Sequence, residues 1–240
     1  MKRKFGHREP RHEPRNFHLA PQKSLGQHFL RDDHVLLRIV HETESLVSEA
    51  SCRVCDEIGP GEGVLTRRFL EAGWNVHAVE KDPRSVEGLE GTLCKQYPET
   101  FSISRSDILK WDPPLRKELR GRPFCVGNLP YYITSDILLW FAARKEHYAA
   151  GLFMVQKEVA ERIQARPGTK DYGRLSVRLQ LCFECQMLFV VPAAAFSPPP
   201  KVDSAIIRLV PNGFSFMGPE DVRSFESLTA TLFSARRKML

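Results

Sequence analysis

The 240-residue chain has no uninterrupted apolar run long enough to cross a bilayer, so no membrane-spanning role is expected. Its N-terminus lacks the apolar core of a signal peptide, which argues against secretion. No internal repeat is present, which sets aside solenoid and propeller architectures. Cysteine is sparse: Cys52, Cys55, Cys94, Cys125, Cys182 and Cys185. Two C-x-x-C pairs occur, but the gap between them far exceeds zinc-ribbon spacing. Cys55 and Cys125 fall inside apolar segments, where a thiol behaves as a small buried hydrophobe. No metal site is expected, and free thiols suit a reducing, cytoplasmic setting. Apolar residues are not lacking: at 42% they can build a sizeable core and exclude global disorder. The length suits one large α/β domain with a small appendage.

Positive charge is unevenly placed. Residues 1–24 hold seven basic residues against Glu9 and Glu13, a net +5 that leaves only +1 for the rest. Residues 1–20, rich in Pro and His and without apolar periodicity, are read as a disordered basic arm. Electrostatic attachment to a nucleic-acid backbone and a merely solvated leader both account for it. Glu9 and Glu13 break the acid-poor pattern of a transit peptide.

Strand and helix signals then alternate. Strands are predicted over Arg53–Ile58, Asn75–Glu80, Phe101–Arg105, Phe124–Gly127, Gly151–Gln156, Gln186–Val191 and Ala205–Val210. Helices are predicted over Glu62–Ala72, from Pro83 to about Gln96, from a Thr134 or Ser135 cap to about Lys145, from Glu158, and over Leu175–Phe183. Such alternation implies a parallel sheet covered on both faces. The last two strands have no helix between them, so at least one should run antiparallel. After Pro211 the chain turns polar and helical.

Several strand ends carry residues suited to a ligand. Glu57-Ile58-Gly59-Pro60-Gly61-Glu62-Gly63 joins the first strand to the first helix, and its glycines let a ligand approach the backbone. The spacing is G-x-G-x-G, and no Lys-Ser/Thr follows, so a phosphate-cradling P-loop is excluded. Glu80 ends the second strand 21 residues after Gly59, where a carboxylate can accept both ribose hydroxyls. Asp107 follows the third strand and can accept from an adenine amino group.

Asn128-Leu129-Pro130-Tyr131 follows the fourth strand. As a strand-to-helix turn it needs no function, since Asn and Pro are turn residues. It also suits alkylation of an exocyclic amine on a planar base, whose lone pair is delocalised into the ring. The Asn128 carboxamide oxygen and the Leu129 carbonyl can each accept one N–H, freeing that lone pair. Pro130 stiffens the backbone and Tyr131 offers a flat face. With an adenosine-binding edge beside it, the pattern points to S-adenosyl-L-methionine as cofactor and S-adenosyl-L-homocysteine as product.

The chain resembles the KsgA/RsmA-type small-subunit ribosomal RNA adenine dimethyltransferases. The matching segments are Lys23–Leu30, Glu57–Gly61, Val79-Glu80, Ser106-Asp107, Gly127–Tyr131, Gln156–Glu158, Tyr172–Val177 and Phe196–Ser204, in the family's order. The resemblance implies an α/β, Rossmann-like methyltransferase fold: a mostly parallel seven-stranded sheet, helices on both faces, and a small C-terminal helical domain, short or truncated here. Its domains would be the arm at 1–20, the methyltransferase domain at 21–210 and the start of the helical domain at 211–240. Cofactor contacts would fall on His28, Leu30, Gly59, Gly61, Glu80, Asp107 and Asn128. Catalytic positions would be Asn128, Leu129, Pro130, Tyr131 and Phe196, with Tyr131 and Phe196 sandwiching a flipped adenine.

The same resemblance implies dimethylation of N6 on two adjacent adenines in the 3′-terminal hairpin loop of small-subunit RNA. The expected partner is a 30S assembly intermediate, met by a cytoplasmic monomer. RNA phosphates would meet Arg174, Lys201, Arg236 and Arg237, with Arg162, Arg166, Lys170, Arg178 and Lys238 as further candidates. Two alternatives stand beside this. A 23S RNA adenine N6-methyltransferase of the macrolide-resistance type is disfavoured by Leu129, Pro198–Pro200 and Asp203. A ribosome-assembly or transcription-factor relative acting by binding is disfavoured by intact Glu80, Asp107, Asn128 and Tyr131.

Overall fold

A computed structural model describes residues 17–22, 27–48, 51–214 and 219–234. In chain order the elements are β1 (Phe29–Leu30), α1 (Asp33–Glu44), β2 (Ser51–Ile58), α2 (Val64–Glu71), β3 (Asn75–Glu80), α3 (Pro83–Gly91), α4 (Leu93–Gln96), β4 (Phe101–Arg105), β5 (Arg122–Asn128), α5 (Thr134–Ala143), β6 (Ala150–Gln156), α6 (Lys157–Gln164), α7 (Arg174–Cys182), β7 (Phe183–Val191), β8 (Phe196–Ser197), β9 (Ser204–Pro211) and α8 (Pro219–Ser234). Seven strands form one sheet in the order β4-β3-β2-β5-β6-β9-β7. Strands β2 to β6 are mutually parallel, and β9 runs antiparallel to both β6 and β7.

Period-two alternation explains why both faces are dry. Phe124 and Val126 of β5, with Leu152 and Met154 of β6, join the core under α1, α2 and α3. Cys125, Phe153 and Val155 point the other way, into the core with α5, α6 and α7. Strands buried on both faces read as continuous apolar runs, which is what covered parallel sheets require. Within the second core, Phe141 stacks on Phe183 at 5.1 Å and meets Phe153 edge-on at 5.0 Å.

The strand order reverses between β2 and β5, whose ends lie side by side with Ile58 opposite Gly127. Ligands bind at such switch points, outside the carboxyl ends of the strands. The backbones approach closely there: a Cβ on Gly127 would lie 2.6 Å from the Ile58 carbonyl. One buried ion cluster ties the following loop to the sheet. Asp56 of β2 accepts from Arg116 at 2.5 and 3.1 Å and from the Tyr148 hydroxyl at 2.9 Å. Burial works to raise the Asp56 carboxyl, but contacts from His77 and Arg116 hold it below the ordinary range.

Several expectations are corrected. The arm expected over 1–20 does not extend that far. Residues 1–16 lie outside the described residues, but the Leu19 N–H donates to Glu62 at 2.7 Å and the Phe17 ring packs on the first core. The helix expected from Pro83 to Gln96 breaks at Thr92, and neither Thr134 nor Ser135 caps α5. Thr134 is instead the first helical residue, its hydroxyl donating back to the Pro130 carbonyl at 3.1 Å. Helix α1, capped by Asp32 through the His34 and Val35 N–H groups, and the short β1–β8 pair were not foreseen. Among the described residues no helix is long and apolar enough to cross a membrane.

Candidate active site

An open cleft lies along the carboxyl edge of β2, β3, β4 and β5. His28, Leu30, Gly59, Gly61, Glu80, Asp107, Asn128, Leu129, Pro130 and Tyr131 all line it. The glycine turn after β2 adopts left-handed φ values, +65° at Gly59 and +57° at Gly61, which a side chain would strain. A Cβ at Gly59 would meet no protein atom within 4 Å, so this stretch of backbone is open to a ligand.

Glu80 is buried at the tip of β3 and fixed by backbone donors. Its Oε1 accepts from the N–H groups of Lys81 (2.7 Å) and Asp82 (2.8 Å), and its Oε2 from that of Gly61 (3.2 Å). Each carboxylate oxygen offers about two acceptor sites, so Oε2 keeps one for a ligand hydroxyl. Burial pushes this carboxyl above its ordinary value, opposed by the three backbone bonds. Asp107 receives Lys81 Nζ at 2.9 Å and the Leu109 N–H at 3.1 Å. The Lys81 bond holds its carboxyl below the usual range. Glu57, one residue inside β2, lies beneath the same cleft at 2% exposure. Its Oε2 has no hydrogen-bond partner among the described residues, and burial pushes the carboxyl up to about 7.

The Asn128 tetrapeptide is fixed from two sides. Asn128 Nδ2 donates to the His28 carbonyl at 3.0 Å, which leaves Oδ1 as the acceptor it can present. The Leu129 N–H donates to the Met154 carbonyl at 3.0 Å, holding that peptide against β6. The Tyr131 hydroxyl is tied to Ser204 Oγ at 2.5 Å, and burial pushes the phenol above its ordinary value. The Tyr131 ring stacks on the His28 imidazole, centroids 5.7 Å apart at 23°. His28 Nδ1 lies 2.9 Å from the Pro198 carbonyl, so that nitrogen carries the hydrogen.

Phe196 departs from expectation. It does not line the cleft; it is 4% exposed and belongs to the buried cluster that holds Leu30, Ala195 and Ile206. Pairing of Leu30 with Phe196 across β1 and β8 turns the ring inward. Here it is a core residue, not a free wall for a base. Of the basic candidates, Arg174 and Lys201 are exposed and Arg162 pairs with Glu158 at 2.9 Å. Arg178 is turned inward at 6% exposure, 3.8 Å from Glu226 and over the Phe225 ring, which removes it from a phosphate surface. Arg236, Arg237 and Lys238 lie outside the described residues. Among the described residues no three His, Cys, Asp or Glu side chains gather as metal ligands.

The cleft is also lined by residues to which the sequence analysis gave no site role: Gln27, Lys81, Tyr132 and Ile108. Tyr132 is 56% exposed at the mouth. Lys81 and Tyr132 each sit one residue beyond a position already chosen, which was the available signal. Taken together the edge offers an acceptor for a ribose hydroxyl, an acid for an amino group, apolar Val79 and Ile108 in the same lining, and open backbone at Gly59. That set fits an adenosine-bearing ligand, with Asn128 Oδ1 beside it to receive an amine.

A family model described as ribosomal RNA adenine dimethylase matches residues 19–240. The chain is similar to ribosomal RNA small subunit methyltransferase A of Janthinobacterium sp. (strain Marseille): 40% identity over 225 residues, covering 92% of this chain and 83% of the relative. Among solved structures it is similar to a dimethyladenosine transferase from Plasmodium falciparum, with TM-score 0.74 and 27% identity over 89% of this chain and 73% of that one. It is also similar to the 23S rRNA methyltransferase ErmE, with TM-score 0.65 and 30% identity over 86% and 79% respectively.

Proposed function

The chain belongs to the ribosomal RNA adenine dimethylase family, and on that premise we propose that it is an S-adenosylmethionine-dependent enzyme that dimethylates N6 of adenine in small-subunit ribosomal RNA. The finer reading is that its targets are two adjacent adenines in the 3′-terminal hairpin loop, met in a 30S assembly intermediate by a cytoplasmic monomer. One observation carries the chemistry: Asn128 is held through Nδ2 by the His28 carbonyl, so Oδ1 faces outward as an acceptor beside the acidic adenosine edge.

In this reading Glu80 Oε2 accepts a ribose hydroxyl, Asp107 the adenine amino group, and the Gly59–Gly61 turn lets the ligand lie against backbone. When bound, the cofactor supplies an electrophilic methyl group on a positively charged sulfur. Asn128 Oδ1 and the Leu129 carbonyl accept the two N–H bonds of the target amine and turn its lone pair toward that methyl. The Tyr131 ring, braced by Ser204, supports the base. Positioning then contributes most of the rate gain, and no side-chain base is needed because the proton can leave to water afterwards. Arg174, Lys201, Arg236 and Arg237 are proposed phosphate contacts. They would orient the RNA without reading its sequence.

The test is transfer of labelled methyl from S-adenosylmethionine to undermethylated small subunits, with large-subunit RNA as control and the modified base identified by mass spectrometry. Dimethyladenine in small-subunit RNA alone is expected. Label in large-subunit RNA would redirect the assignment to the resistance-type reaction. Absence of label with S-adenosylhomocysteine binding intact would redirect it to an assembly role without catalysis.

A further inference from the structure

Residues 17–22 and 27–31 lie along the cofactor edge and are each fastened to it. Glu62, beside the glycine turn, meets both stretches: it accepts the Leu19 N–H at 2.7 Å and lies 2.5 Å from Arg31. Gln27 Nε2 donates to Asp82 Oδ2 at 3.1 Å, and its Oε1 accepts the Gln22 N–H at 2.9 Å. Arg84 clamps the same carboxylate, with Nη2 at 2.6 Å and Nε at 3.1 Å, and donates to the Ala20 carbonyl at 3.1 Å.

Asp82 and His28 extend these contacts in opposite directions. The Asp82 N–H donates to Glu80 Oε1 at 2.8 Å, so the clamped residue also orients the ribose acceptor. The residue after Gln27 is His28, whose carbonyl receives Asn128 Nδ2 at 3.0 Å. A continuous path therefore runs from Glu80 through Asp82 and Gln27 to the His28 carbonyl and Asn128. If Gln27 slides, the His28 carbonyl moves with it and the Asn128 carboxamide loses the bond that fixes its rotation.

We propose that Gln27, Asp82 and Arg84 form a latch that positions Asn128 through the His28 backbone, coupling the cofactor cradle to the group that receives the target amine. This rests on the methyltransferase reading above. The three are positioning residues: they act on Asn128 through the His28 backbone rather than on the reacting atoms, and the Asp82 N–H bond that fixes Glu80 does not depend on Gln27.

The test uses the full chain and Gln27→Ala, with S-adenosylhomocysteine as the cofactor probe and small-subunit particles as substrate. Gln27→Ala leaves Asp82 paired with Arg84, so it should fold. Expected are a dissociation constant for S-adenosylhomocysteine within about twofold of wild type and a kcat lower by about tenfold at unchanged KM for the particle. Hydrogen exchange supplies the second readout: S-adenosylhomocysteine should protect the amides of residues 27–31 in the wild type and much less in the variant. Arg84→Ala should give the same pattern, and the double variant should lose no more than about the larger single loss, because both act through one latch.

A tenfold weaker probe with unchanged kcat would make Gln27 a direct ligand and overturn the proposal. Multiplying losses in the double variant, or wild-type protection retained in Gln27→Ala, would also overturn it. Failure of the wild-type chain to bind the probe would overturn the cofactor reading itself.

Discussion

Glu57 should make this protein less stable as the pH rises through neutrality. The side chain is 2% exposed under the cleft and its Oε2 has no partner among the described residues. Burial is the main cause of its rise from 4.5 to about 7; the nearby charge of Glu80 adds to it, against the pull of Thr66. A folded state that holds a proton more tightly than the unfolded chain gains stability below the unfolded value and loses it as pH climbs through the folded one. At about 1.4 kcal/mol per unit, the full effect is about 3 kcal/mol, most of it falling between about pH 5 and pH 8. Glu57→Gln keeps the shape and removes the titration. Urea melts of both proteins at a series of pH values should show wild type losing about 2–3 kcal/mol relative to the variant over that window. In a thermal melt the same difference is about 5–10 °C for a chain of this size. Stability curves that run parallel for the two proteins would refute the argument, because the Glu57 carboxyl would then be hydrated or paired in solution.

Asn128→Ala removes both the Oδ1 acceptor and the bond to His28; kcat should fall by about a hundredfold or more, the loss seen when one oriented polar group at a reacting centre is removed, measured by methyl transfer under single turnover. Phe196→Ala should cost about 3–5 kcal/mol in urea melts because the ring sits in the core beside Leu30 and Ile206. A ring free to stack on a base would leave stability nearly unchanged. Arg116→Ala strands the buried Asp56 carboxylate with Tyr148 and His77 as its remaining partners among the described residues, and should also cost about 3–5 kcal/mol at neutral pH. Lowering the pH toward the Asp56 titration should narrow that gap, since a neutral acid needs no counter-charge.

Residues whose placement follows from local order were legible in the sequence. Gly59, Glu80, Asp107 and Asn128 each stand at or just past a strand end, and parallel strands put their carboxyl ends on one edge whatever the details of packing. The antiparallel final pairing was equally legible, because no crossover helix separates β7 from β9. Phe196 was not, because its orientation depends on a two-residue strand pairing with Leu30, which lies 166 positions earlier. Pairs that short carry no periodicity, and only the folded chain brings them together. Arg178 failed for a related reason: its burial depends on α8, across a gap in which no pattern links the two helices.

The same contrast explains what Gln27 and His28 add to the edge. The strand tips supply acceptors at fixed positions, but a carboxamide has a free torsion, and no strand end can fix which of its two atoms faces the cleft. For Asn128 that choice is made by the His28 carbonyl, which can only accept and so claims Nδ2. His28 is in turn held on three sides: by Gln27 through the chain, by Pro198 at its ring, and by the stack on Tyr131. Chemistry that requires an oxygen at one point therefore rests on backbone contacts from a segment outside the sheet. Substitutions at Gln27 and His28 should be felt in catalysis well before they are felt in the stability of the sheet.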